Sequence, residues 1–123
     1  MREGRDQVAN ALDQLLSARQ VATNDVVRIE LLIGAVNEQQ YQEFESDLGV
    51  VPHLALSPAV WVRVGRLGFI LKRRGVTIPI TDLAIAACAL EYDCELLHAD
   101  RHFDLIAKHA PLKIYPVSQT SRR

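Results

Sequence analysis

No apolar stretch in this chain approaches the roughly 20 residues that cross a bilayer, so no membrane-spanning helix is expected. The first residues, Met1-Arg2-Glu3-Gly4-Arg5-Asp6, lack the apolar segment of a signal peptide, and a cytoplasmic location is the expectation. Excess charge of one sign is missing as well. Lys and Arg number 14 against 15 Asp and Glu, so no global field recruits nucleic acid, and any basic surface must be local. Cysteine is scarce: Cys88 and Cys94 form neither a CxxC pair nor a zinc knuckle, and their apolar neighbours make them core thiols of a reducing compartment. The four histidines, His53, His98, His102 and His109, are scattered, with no pair at a recognised zinc spacing. Aromatic residues are few, and Tyr41, Phe44 and Trp61 sit at helical core spacing, which suits core or dimer packing better than base stacking.

What is present describes one globular domain. A chain of 123 residues holds a single core, and its composition, 49% hydrophobic and 24% charged, is that of a folded protein. The apolar stripe Val8, Leu12, Leu15, Leu16 predicts a helix over 6–17. Asn24 or Asp25 caps a second helix that runs to about Gly34, and Asn37 a third that carries Tyr41, Phe44 and Leu48. Part of 50–56 reads as a short strand. Ser57-Pro58 opens a helix that turns Trp61, Val64, Leu67 and Leu71 inward and ends at Lys72-Arg73-Arg74-Gly75. Thr81 is the expected cap of a helix from Asp82 to about Tyr92. A strand over 94–98, a short helix over 103–108, a strand over 112–115 and a loose tail over 118–123 complete the chain, with the domain proper spanning 1–117. Helices that separate short strands imply an α/β fold with a short parallel sheet covered on both faces.

Three carboxylates stand at costly positions. Glu30 interrupts Val26-Val27-Arg28-Ile29-Glu30-Leu31-Leu32-Ile33, Asp82 opens the apolar segment 83–90, and Asp100 follows an apolar strand. Buried carboxylates need a cap, a cation or a metal. If the three converge, the guest is a hard divalent cation, Mg2+ or Mn2+, because both take oxygen ligands. Each also has a simpler reading. Asp82 can complete a helix start, and Asp100 can cap the short helix after it. Glu30 needs a partner, and Arg28 lies too close along the helix to face it. Convergence further requires Ile78-Pro79-Ile80-Thr81 to carry the Asp82 helix start to the edge where Asp100 lies, since an ordinary crossover helix begins at the opposite edge.

The segment Val26–Ala35 resembles the glutamate-bearing helix of PIN-domain ribonucleases, especially toxins of the VapC type. Arg74-Gly75-Val76-Thr77-Ile78-Pro79-Ile80-Thr81-Asp82-Leu83-Ala84-Ile85-Ala86-Ala87 is similar to the family's aspartate-bearing helix start, and Leu96-Leu97-His98-Ala99-Asp100-Arg101-His102-Phe103 to the segment supplying a further acid after a strand. The resemblance implies a three-layer α/β/α PIN-like fold and a Mg2+- or Mn2+-dependent endoribonuclease acting on structured RNA such as tRNA or rRNA. It further implies Glu30, Asp82 and Asp100 as metal ligands or water-positioning residues, a cognate antitoxin, and a homodimer. It also implies two departures. His102 stands where the family often has a second aspartate, with Asp104 displaced beyond it. The family's first, central strand and its terminal aspartate have no counterpart here, so the chain resembles an N-terminally shortened PIN domain, expected to be unstable or to borrow a strand from a partner. Those departures keep a second reading open, a catalytically inactive PIN-like module retaining dimer or antitoxin binding. Arg73, Arg74 and Arg101, with Arg63 and Arg66, are candidate phosphate contacts. Lys72-Arg73-Arg74 also suits a helix end on electrostatic grounds alone.

Overall fold

The computed structural model describes Asn10, Gln14 and residues 22–98 and 100–116. Asn10 and Gln14 are helical; the rest of the helix expected over 6–17, and the tail 118–123, lie outside the described residues. Five helices follow in the described chain: α1 (Asp25–Ile33), α2 (Glu38–Leu48), α3 (Pro58–Arg73), α4 (Ile80–Glu91) and α5 (Arg101–Ala107). Four two-residue strands lie between them: β1 (Thr23–Asn24), β2 (His53–Leu54), β3 (Glu95–Leu96) and β4 (Lys113–Ile114). No described helix is long and apolar enough to cross a membrane.

The helix starts are where short polar side chains place them. Asn24 Oδ1 accepts from the Val27 N–H at 3.0 Å, Asn37 Oδ1 from Gln40 at 2.8 Å and Ser57 Oγ from Val60 at 3.4 Å. Each satisfies a donor that the first helical turn leaves without an intrahelical partner. The end of α3 is equally well specified. Gly75 adopts φ +82°, and its N–H and that of Val76 donate to the Lys72 and Leu71 carbonyls, a Schellman closure that favours glycine. The end of α4 closes the same way, with Asp93 at φ +55° and Cys94 donating to Ala89 at 2.9 Å.

The core forms between α3 and α4. Val60, Val64, Leu67 and Leu71 make the buried stripe of α3, and α4 is buried continuously from Leu83 to Ala89. The helices pack closely: a Cβ added at Gly68 would lie 2.9 Å from Leu83 Cδ1. Arg63 Nε donates to Glu91 Oε1 at 2.8 Å and ties their surfaces together. Val64, Leu67 and Leu71 are buried as expected, and only the first member of the stripe differs. Trp61 is 47% exposed and Val60 takes the inner position, because a valine fits the tight helix–helix contact that an indole would force apart. Tyr41 is exposed and Phe44 half-buried, so only Leu48 of the expected α2 stripe is in the core.

The strands form two parallel pairs. β1 pairs with β2, Thr23 opposite His53 and Asn24 opposite Leu54. β3 pairs with β4, Glu95 opposite Lys113 and Leu96 opposite Ile114. β1 was not legible in the sequence, being two residues directly before a helix cap. The β3–β4 pair extends by the Tyr115 N–H donating to the Leu96 carbonyl at 2.9 Å. It fixes the chain just before His98 and Asp100, and so sets where the site begins.

Candidate metal centre

Asp82 stands in the first turn of α4, at its third residue. The helix begins at Ile80, two residues before the expected start, with Pro79 as its cap and no side-chain capping bond, so Thr81 does not cap it. Proline fixes the entry conformation, and its missing N–H is no loss at a helix start. Buried Ile78 anchors the segment just before this turn. The Asp82 side chain is 15% exposed, and its Oδ2 lies 2.8 Å from His102 Nδ1. The carboxylate is therefore committed to a side chain of another helix and not to capping its own.

Asp100 is the N-cap of α5, which begins at Arg101, earlier than expected. Its Oδ1 accepts from the His102 N–H at 2.9 Å and lies 3.6 Å from His102 Nδ1. One backbone bond thus holds His102 against Asp100 while the ring reaches across to Asp82. The ligand atoms of Asp82, Asp100 and His102 all lie within 4.8 Å of one another, so the start of α4 does reach the edge beyond β3. The site is open to solvent, since the Asp100 and His102 side chains are 51% and 37% exposed.

A buried pair supports this loop from beneath. The Asp100 N–H donates to His98 Nδ1 at 3.0 Å, which leaves His98 Nε2 as the protonated nitrogen, 3.4 Å from Asp104 Oδ1. Both side chains are almost fully enclosed, and the His98 ring tilts against Phe103 with centroids 5.1 Å apart. Asp104 is thus not in the convergent cluster; it lies one hydrogen-bond layer behind it. Neither His102 nor His98 was among the predicted site residues, although His102 was noted as a departure from the family pattern. The available signal was a histidine two residues either side of a candidate ligand, a pattern that helix capping alone also produces.

Glu30 lies elsewhere. It is exposed on α1 and is not part of the 4.8 Å cluster, so the cost of burial expected for it does not arise. It follows Val26 and Val27, the α1 residues packed on the core, by one turn, and so shares their stripe on a helix that touches α4. Arg28 Nη1 donates to the Leu48 carbonyl at 3.2 Å and fastens α1 to α2. Arg73, Arg74 and Arg101 are all exposed. The Arg73 guanidinium lies 5.5 Å from the centroid of the exposed Phe69 ring, with Arg66 at 5.9 Å from the same ring.

The donor set suits a divalent cation. Two carboxylates repel each other unless a cation or proton intervenes, and a carboxylate–imidazole trio supplies oxygen and nitrogen donors to one point. Neither cysteine contributes. Burial first, and the nearby Cys94 second, push the Cys88 thiol up to about 11, so at neutral pH it is a protonated core side chain and not a thiolate ligand.

Comparison with known proteins places these features. The PIN domain family profile matches residues 1–109. VapC ribonuclease Mb1587 of Mycobacterium bovis and Ribonuclease VapC11 of Mycobacterium tuberculosis are each 29% identical to this chain over 93 residues, spanning 74% of it and 69% of the relative. Among solved structures, VapBC2 from Rickettsia felis bound to a DNA fragment from their promoter superposes with a TM-score of 0.67 at 21% identity. The match covers 85% of this chain and 82% of that one.

Proposed function

The chain belongs to the PIN-domain family, and from that premise we propose that it is a VapC-like toxin, a metal-dependent endoribonuclease that hydrolyses RNA phosphodiesters. The convergence of Asp82, Asp100 and His102 at the start of α4 and α5 carries this reading. A divalent cation, Mg2+ or Mn2+, would supply the positive charge that polarises an attacking water and offsets charge on the phosphate. Asp82 and Asp100 would hold it. Asp82 does so from the first turn of the most enclosed helix, and Asp100 from a loop braced by His98 and Asp104. Such support matters because a loosely held ligand loses affinity and rate together. Glu30, accessible on the stripe of α1 that touches α4, would orient the attacking water rather than bind the cation directly.

Arg73, Arg74 and Arg101 would contact backbone phosphates of a structured RNA, tRNA or rRNA, and each contact adds salt dependence to binding. Exposed Ile29, Leu31 and Ile33 on α1, and Trp61 and Val62 on α3, form apolar surface suited to a cognate antitoxin and to a homodimer. Residues 1–117 would act as one domain with 118–123 as a tail, a reading supported over 26–114 by the one core cluster among the described residues.

A second reading, an inactive PIN-like module that keeps antitoxin or dimer binding, draws on the exposure of Glu30 and on His102 at an acidic family position. One assay separates the two. The chain and its Asp82→Asn variant are incubated with a pool of tRNA and rRNA in Mn2+ or in EDTA. Cleavage that requires Mn2+ and is lost in Asp82→Asn is the expected result. No cleavage by the wild-type chain, with a cation still bound, would favour the inactive module.

A further inference from the structure

The cluster differs from an all-oxygen site by one donor atom, and we propose that this atom sets its metal preference: His102 Nδ1 makes the Asp82–Asp100 site select a first-row transition cation, such as Mn2+ or Co2+, over Mg2+. The inference rests on the reading of this cluster as the cation site.

Three observations carry it. Nδ1 stands 2.8 Å from Asp82 Oδ2 and 3.6 Å from Asp100 Oδ1. Two donors on one ion at about 2.1 Å are separated by about 3.0 Å at a right angle and about 3.4 Å at the tetrahedral angle. The two separations lie just below and just above that range, which puts the imidazole nitrogen close enough to both carboxylates to join them on one ion. Its position is also held: the His102 N–H is anchored on Asp100 Oδ1, so the ring leaves α5 toward the cluster. Among the described residues, moreover, these three are the one group of His, Cys, Asp or Glu side chains whose donor atoms all lie within 4.8 Å of one another.

The chemistry follows from the donor. Mg2+ demands oxygen ligands in near-ideal octahedral geometry and gives up water reluctantly. An imidazole in place of a carboxylate removes one negative charge and one hard ligand, and both changes weaken Mg2+. Transition cations accept imidazole nitrogen well, and their affinity rises from Mn2+ to Co2+ along the series. A carboxylate at position 102 would narrow the preference and shift it toward Mg2+.

The test measures binding, independently of cleavage. Calorimetric titration of the 123-residue chain and its His102→Asp variant with MnCl2, CoCl2 and MgCl2 gives the affinity ratios. The expected result is a Co2+-to-Mg2+ ratio at least roughly tenfold larger in the wild-type chain than in His102→Asp. Proton NMR of the Co2+-loaded wild-type chain should show one exchangeable, strongly shifted imidazole N–H, lost in His102→Gln. A ring that merely hydrogen-bonds Asp82 would not produce it. This signal decides the matter even if His102→Asp folds poorly. Equal ratios with no shifted imidazole proton would overturn the selectivity while leaving the ribonuclease reading intact. Failure of the wild-type chain to bind any of the three cations would overturn both the selectivity and the metal site.

Discussion

Helix α4 is buried continuously from Leu83 to Ala89, whereas α1 has no buried residue at all. Both are apolar and both carry a carboxylate of interest. They differ in side-chain size. Ala84, Ala86, Ala87, Cys88 and Ala89 let neighbouring elements approach α4 from all sides. In α1, Val26 and Val27 meet the core, while Ile29, Leu31 and Ile33 stay exposed. Enclosure is what gives a ligand a fixed address. Asp82 stands at the start of a helix that cannot shift without disturbing the whole core, and Glu30 rides on the periphery.

That contrast can be broken first at the chemistry. Asp82→Asn should lower RNA cleavage at least about 100-fold, since a cation's several kcal/mol of charge stabilisation depend on it. It should also abolish the rise in melting temperature expected if Mn2+ binds the folded chain. Glu30→Gln should lower cleavage but leave that rise in place. Equal loss of the Mn2+ response in both variants would mean that the peripheral carboxylate is as much a ligand as the central one.

Stability sharpens it next. Ala87→Leu forces extra volume into the enclosed helix and should cost about 1–3 kcal/mol or more in urea unfolding. Ile33→Ala on α1 should stay within about 0.5 kcal/mol. Similar costs would show that α1 is covered in the folded chain in solution.

A smaller effect comes from the thiol that α4 encloses. With its pKa raised from 9.0 to about 11, Cys88 keeps in the folded chain a proton that the unfolded chain releases. Its stabilising effect is complete below pH 9 and falls away between pH 9 and about 11. Cys88→Ala should flatten that decline, and an unchanged slope would assign it to other groups. The least effect is expected at the end of α4, where Asp93 holds a left-handed conformation that Gly75 holds at the end of α3. Asp93→Gly should raise stability by up to about 1 kcal/mol, because the ion pair it forfeits with Lys113 is exposed and contributes little. Thermal unfolding that shows a loss instead would make that ion pair the stronger term.

Local signals in the sequence were mostly read correctly where one residue decides the outcome, Thr81 being the exception. Asn24, Asn37 and Ser57 cap as their side-chain chemistry requires, and Gly75 ends α3. Signals that depend on neighbours were not. Trp61 and Val60 are both apolar and adjacent, and only the packing of α3 on α4 chooses between them. The site was half legible. Asp82 and Asp100 were identified as candidates, but their convergence depends on where Pro79 starts α4 and on the short pairing of β3 with β4. His102 was visible only as a departure from a family pattern, because a helix-start histidine carries no sign of which way its ring turns. Glu30 was read as buried from its apolar neighbours, yet six such neighbours do not enclose a helix that lies at the edge.

The pairing of β3 with β4 has a consequence in time. Asp100 and His102 follow β3 within six residues, and β3 pairs with β4, whose residues Lys113 and Ile114 are translated after them. A chain emerging from the ribosome folds from its N-terminal side as segments become free. The α3–α4 core can form, and Asp82 can take its place, while the other half of the cluster still hangs from an unpaired strand. Synthesis therefore delivers the scaffold early and the assembled site late, so a nascent chain would carry a body before it carries an activity.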